Sequence, residues 1–207
     1  MIERLACQLG RNDEAPNIEL AEFLCQQNDF AGVREIVDGC MGKDKAIVND
    51  CIKVLYEIGA RKPELIVDYT TDFIKFLRSK NNRLVWGSMS ALSEIVEITP
   101  KPIYTELATV IAAYEEGSVI TVDKSISVFA GLCKSNDAYS NTILPLLLNH
   151  LQICKPKEVA QHAERMSVCF NNKNAVDFIS VLEIRKPNLT LSGQTRIDKL
   201  LKKLRSL

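Results

Sequence analysis

The side chains able to do chemistry in this 207-residue chain are few and scattered: two histidines (His150 and His162), seven cysteines and one tryptophan, Trp86. A catalytic or structural metal site needs histidine, cysteine or carboxylate at close, helix-compatible spacing, as in HxxxH or HExxH. The two histidines fall in different repeats and match neither pattern, so both read as satisfied or surface side chains, and no metal or cofactor is expected. The cysteines (Cys7, Cys25, Cys40, Cys51, Cys133, Cys154, Cys169) are odd in number, form no CxxC pair and mostly stand among apolar residues. They read as small core residues in a reducing compartment, not as a disulfide framework. Trp86, flanked by Gly87 and Ser90, can serve as an aromatic anchor for a partner or pack against a neighbouring element.

Other chemical motifs fall short in identifiable ways. Gly39, Cys40, Met41, Gly42 and Lys43 end like a phosphate-binding loop, but Val37 stands where the first glycine of that loop belongs and no strand pattern precedes it. A helix end and a turn account for these glycines. Lys and Arg number 26, as do Asp and Glu, so the chain lacks the positive excess that releases counterions from nucleic acid or acidic lipid. No stretch approaches the roughly 18 apolar residues of a membrane span, and the start lacks a basic segment followed by an apolar one. A cytoplasmic location with no membrane contact is expected.

The elements that must position these residues are helices. Nine glycines and seven prolines fall well below the roughly 25 that average usage implies, and the apolar residues recur at three and four. Three segments align without a gap, starting at Asp44, Asn81 and Ser118, at an offset of 37 residues, and a fourth starts at Lys155. Their apolar columns are Val48, Val85, Val122 and Val159; Ile52, Met89, Ile126 and Ala163; Leu55, Leu92, Phe129 and Met166; Ile58, Ile95, Leu132 and Cys169. Positions i, i+4, i+7 and i+10 share one helical face. Asp44, Asn81 and Ser118 are helix-capping side chains, and Pro156 suits a first helical position. Each copy is followed by a break, at Pro63, Pro100, Asn136 to Asp137 and Asn171 to Asn174, then by a second apolar helix, over 65–77, 103–114, 139–151 and 176–184. A single helical-repeat domain over 1–207 follows: an atypical N-terminal repeat over 1–43, with a pair split at Asn28 and Asp29 and a further short helix over 2–9; regular repeats over 44–187; and an amphipathic capping helix over 188–207.

The run Pro63, Glu64, Leu65, Ile66, then Phe76 and Leu77, Asn81 and Asn82, Val85, Ala91 and Leu92 resembles a HEAT unit of the HEAT and armadillo-like repeat class. Where that family favours Arg after Val, this chain has Asn49, Trp86, Asp123 and Ala160. The resemblance implies a right-handed α-solenoid of about five to six antiparallel helix pairs, with the second helix of each unit lining a concave face. The positions opposite the apolar stripe then include Asn49, Asp50, Lys53 and Glu57; Trp86, Gly87, Ser90 and Glu94; and Asp123, Lys124, Ser127 and Gly131. Trp86, Asn49, Lys53, Ser90, Asp123 and Ser127 are the expected contacts to a protein or peptide partner. The expected function is a non-catalytic interaction module or scaffold. The enzymatic alternative in the same fold class is an alkylpurine DNA glycosylase, which pairs tryptophan with a carboxylate in a basic groove, the counterparts here being Trp86 with Asp123 or Asp50.

Overall fold

Helix starts carry the strongest local signal in the chain. In the computed structural model, which describes residues 1–171 and 174–206, Asp44 Oδ1 accepts the Ala46 N–H at 2.8 Å and opens α3 (Lys45–Arg61). Asn81 Oδ1 accepts the Arg83 N–H at 3.1 Å and opens α5 (Asn82–Ile95). Ser118 Oγ lies 3.4 Å from the Thr121 N–H at the start of α8 (Val119–Ser135). At α10 (Pro156–Met166) the first helical residue is proline, and the Glu158 carboxylate reaches back to the Lys155 backbone N–H at 3.3 Å. Each contact satisfies a donor that a helix leaves unpaired in its first turn.

The segments after the breaks differ. Residues 63–77 form two 3-10 turns and the short helix α4 (Thr70–Phe76). The run Ile66, Val67, Thr70 and Thr71 is rich in β-branched residues that resist a continuous helix, and the Thr70 hydroxyl bonds the Val67 carbonyl at 2.6 Å. Residues 100–116 divide at Glu106 into α6 (Pro100–Thr105) and α7 (Leu107–Glu116). By contrast α9 (Asp137–Ile153) runs unbroken through Pro145, which lies on its exposed side, where water can take the carbonyl the proline leaves unpaired. α11 (Ala175–Arg185) follows. Of the break over 171–174, residues 172 and 173 lie outside the described residues, as does residue 207 of the C-terminal segment.

At the N-terminus α1 (Ala15–Gln27) and α2 (Phe30–Gly39) form the split pair. Asn28 closes α1 in the left-handed region, φ 51°, and the Asp29 carboxylate then caps α2 through the Gly32 N–H at 2.8 Å. The helix expected over 2–9 shrinks to one 3-10 turn, Ile2–Arg4, followed by further turns. Among the described residues there is no strand, and no helix is long and apolar enough to cross a membrane.

Contacts divide the chain into two compact units, 1–125 and 126–207, with the boundary inside α8. In the first, α3 is covered by α1, α2 and α5, while α4 lies against α5 and α6. In the second, α9 packs on α10 and α11, and α12 (Leu191–Leu204) lies on α10 and α11 with Ile197, Leu200, Leu201 and Leu204 buried. The four apolar columns are buried in both units apart from Val122, which is half-buried.

Candidate functional site

Three helices of the first unit build its most elaborate polar surface. On α3, Asn49, Lys53 and Tyr56 share a face at i, i+4 and i+7, and α5 presents Arg83 and Trp86 one turn apart. The Trp86 ring stands 5.4 Å from Tyr56, with planes tilted 47°. The Arg83 guanidinium lies 5.7 Å from the Trp86 centroid, and the Lys53 ammonium 4.9 Å from that of Tyr56. Glu14, the residue before α1, closes the ring by pairing with both Lys53, at 2.8 Å, and Arg83. Lys53 also bonds Glu57 at 2.7 Å, and Arg61 joins Glu57 to Glu22. Two half-exposed aromatic rings are thus framed by charges that neutralise one another.

The electrostatics follow from these contacts. Burial alone would lower the Lys53 pKa, but the bonds to Glu14 and Glu57 outweigh it and hold the ammonium above the usual lysine value. The Lys53 hydrogen bond, helped by Arg83, holds Glu14 below the usual carboxylate range. Burial pushes Glu57 up, yet Lys53 and Arg61 together bring it below that range as well. The cations Lys53, Arg61, Arg83 and Lys124 each pair with a carboxylate, Lys124 with Glu94 at 3.5 Å.

Several residues expected on this face are placed otherwise. Lys53 is only 6% exposed and Ser90 only 4%, with the Ser90 hydroxyl bonded to the Trp86 carbonyl at 2.9 Å. Gly87 is buried too, and a Cβ there would stand 2.5 Å from Ile52 Cγ1. The reason is packing on the flanks. A helix covered by its own partner and by its neighbour along the stack keeps a narrow open stripe, not the whole half opposite its apolar columns. Trp86 and Asn49 remain half-exposed, Asn49 accepting a bond from the Asn81 side chain at 2.9 Å. Asp123 is half-buried on α8, and Ser127, also half-buried, belongs to the second unit. Asp50, offered as a glycosylase carboxylate, accepts the Cys7 backbone N–H at 2.8 Å. Tyr56 and Arg83 were missed, although their spacing from Asn49 and Trp86 carried the signal; Glu14, far off in sequence, left none.

A cleft of about 610 Å³ in the same unit is lined by Arg78, Asn82, Val85, Thr109 and Ala112, among others, and holds none of the expected contact residues. Arg78 there bonds Thr109 at 2.8 Å and Glu106 at 3.1 Å.

The second unit corrects the view of the histidines as separate. His150 Nε2 and His162 Nδ1 lie 2.8 Å apart, both rings are buried, and the Cys154 thiol stands beside them. Burial, then the neighbouring His162, pulls the His150 pKa down to about 4, and burial pushes the Cys154 thiol up to about 11.

No protein-family model matches the sequence, and no curated protein gives a significant match. Solved structures do. An engineered protein from the Northeast Structural Genomics Consortium superposes with a TM-score of 0.69 at 16% identity, over 99% of this chain and 96% of that one. A designed armadillo repeat protein in complex with the peptide (KR)4 gives 0.70 at 10% identity, over 91% and 90%. A second designed armadillo repeat protein gives 0.68 at 11%, over 99% and 100%. The chain is therefore an all-α solenoid with an armadillo-like helical repeat fold.

Proposed function

We propose that this chain is a non-catalytic protein-interaction module that takes a peptide or protein segment on the α3 and α5 face, with Trp86 and Tyr56 as the anchor. The observation that carries this is the half-exposed aromatic pair held in place by Lys53, Arg83 and Glu14. Rigid aromatic side chains offer a large contact area at little entropic cost, which is why they dominate binding energies. A designed protein of the same fold is in complex with the peptide (KR)4. Asn49 and Asp123 extend the proposed contact region along α3 and α8. Lys53 and Ser90 act beneath it, Lys53 by bracing Tyr56 and Ser90 by holding the α5 backbone. Ser127 is proposed as a contact of the second unit in its own right.

Pairing of the cations with carboxylates supports a protein partner over nucleic acid, because a phosphate track needs unneutralised Lys and Arg. Asp50, tied to the Cys7 backbone, is poorly placed to act as a glycosylase carboxylate. We place the chain in the cytoplasm as a single repeat domain with no cofactor in binding. A peptide array screened with the full chain tests the reading. Peptides captured by the wild type and lost on Trp86→Ala support it, whereas excision of an alkylated base from duplex DNA, abolished by Asp123→Asn, overturns it.

A further inference from the structure

We infer that His150, Cys154 and His162 form a binding site for a zinc-class transition-metal cation, held between α9 and α10 by two imidazole nitrogens and one thiolate. His150 and Cys154 stand one helical turn apart, with Cys154 closing the C-terminal end of α9. Pro156 then turns the chain back, and His162 lies as far beyond that proline as His150 lies before it, so antiparallel packing brings the two rings together. The three donor atoms lie within 4.8 Å of one another and all three residues are buried. Imidazole and thiolate donors select zinc and its neighbours over magnesium or calcium, which prefer oxygen.

Loading the site needs the two nitrogens to part slightly and turn towards a common point, and the thiol, within 4.8 Å of them, to draw in. Two nitrogens each about 2.0–2.1 Å from a tetrahedral ion stand about 3.3 Å apart, against the 2.8 Å of the present hydrogen bond. The joint between the helices is already braced: Arg185 of α11 donates to the carbonyls of Gln152 and Cys154, and the Cys154 N–H bonds the His150 carbonyl at 2.8 Å. On one side Leu147, Leu151, Val159 and Met166 are buried and apolar, while Glu158 and Arg185 bring one charge of each sign near the donors, so the apolar wall favours ligation over hydration. Two imidazoles and a thiol are a costly choice for a core position that an apolar side chain fills without desolvation. Loading releases one proton: the Cys154 thiol gives its hydrogen to solvent, and whichever ring now donates the shared hydrogen bond moves that proton to its other nitrogen. Three protein donors leave a tetrahedral ion one further position.

The test uses the full chain, reduced and stripped with a chelator, and titrates it with Co²⁺ as a spectroscopic stand-in for Zn²⁺. One equivalent should produce thiolate-to-cobalt charge transfer and tetrahedral visible bands, both displaced by zinc. Cys154→Ser should abolish the charge-transfer band, whereas Cys133→Ser should leave it. His162→Gln should weaken binding by more than the roughly 10–100-fold typical of losing an outer supporting residue. Absence of the band in the wild type, its persistence in Cys154→Ser, or its loss in Cys133→Ser overturns the inference. Because the chain has two histidines, their ring ¹⁵N resonances give a readout that needs no variant: one equivalent of zinc should move both, and unmoved resonances overturn the site.

Discussion

The polar cluster that marks each compact unit is built in the opposite way. The first sets its charges at the rim of an open face, where Glu14, Arg61 and Arg83 reach water and the buried Lys53 ammonium is braced by Glu14 and Glu57 beneath two half-buried rings. The second buries two imidazoles and a thiol between adjacent helices. A surface network tolerates rearrangement and suits contact with another chain, because water compensates each broken pair. A buried trio needs partners in the surrounding fold, as the Leu151 carbonyl is for the Cys154 thiol, or a ligand, because unpaired polar groups in a low dielectric are costly.

The contrast can be tested from its largest effect downwards. Leu92 is fully buried in the first unit, so Leu92→Ala should cost about 2 to 5 kcal/mol in urea unfolding. The matching truncation Leu201→Ala on α12 should cost less, because an element at the end of a repeat array loses contacts on fewer sides. Equal costs would argue against quasi-one-dimensional stacking.

Acid should weaken the two units in order. The His150 pKa drops from 6.5 in the unfolded chain to about 4 in the fold, so the unfolded state binds the proton first and stability falls as pH drops from 6.5 towards 4. Burial is the main cause of that drop, the neighbouring His162 deepens it, and Glu158 counters it. In the first unit Glu14 and Glu57 lie below their ordinary 4.5, so their contribution is intact above that value and is lost only below it. Trp86 fluorescence reports the first unit, and histidine ring resonances of the metal-free chain report the second. Loss of the tryptophan signal before the His150 ring protonates would reverse the predicted order.

Trp86→Ala should weaken capture of a bound peptide by about 2 kcal/mol while circular dichroism stays helical. Its half-exposure predicts partial quenching by iodide, between the extremes of a free and a core indole. The smallest effect belongs to Glu14→Gln. Glu14 keeps about half its side chain in water, 47%, so thermal unfolding should show a cost of less than about 1 kcal/mol. A larger loss would mean that the Lys53 and Arg83 ring is a structural element and not a frame for binding.

The apolar columns, the caps at Asp44, Asn81 and Ser118 and the proline breaks were legible in the sequence, because each depends on residues within a few positions of one another. So was the anchor role open to Trp86. The burial of Lys53 and Ser90 was not, because a helical wheel shows one covered face while α3 is covered on three sides by α1, α2 and α5. The pairing of Glu14 with Lys53 and Arg83 was likewise out of reach, since it joins residues that meet only when α1 stacks on α3. The histidines sit between these cases. His150 and Cys154 share a turn and Pro156 lies midway between the two histidines, yet their meeting depends on how α10 folds back along α9. Local spacing fixes which side chains share a face, and tertiary packing decides which faces stay wet and which distant residues become neighbours.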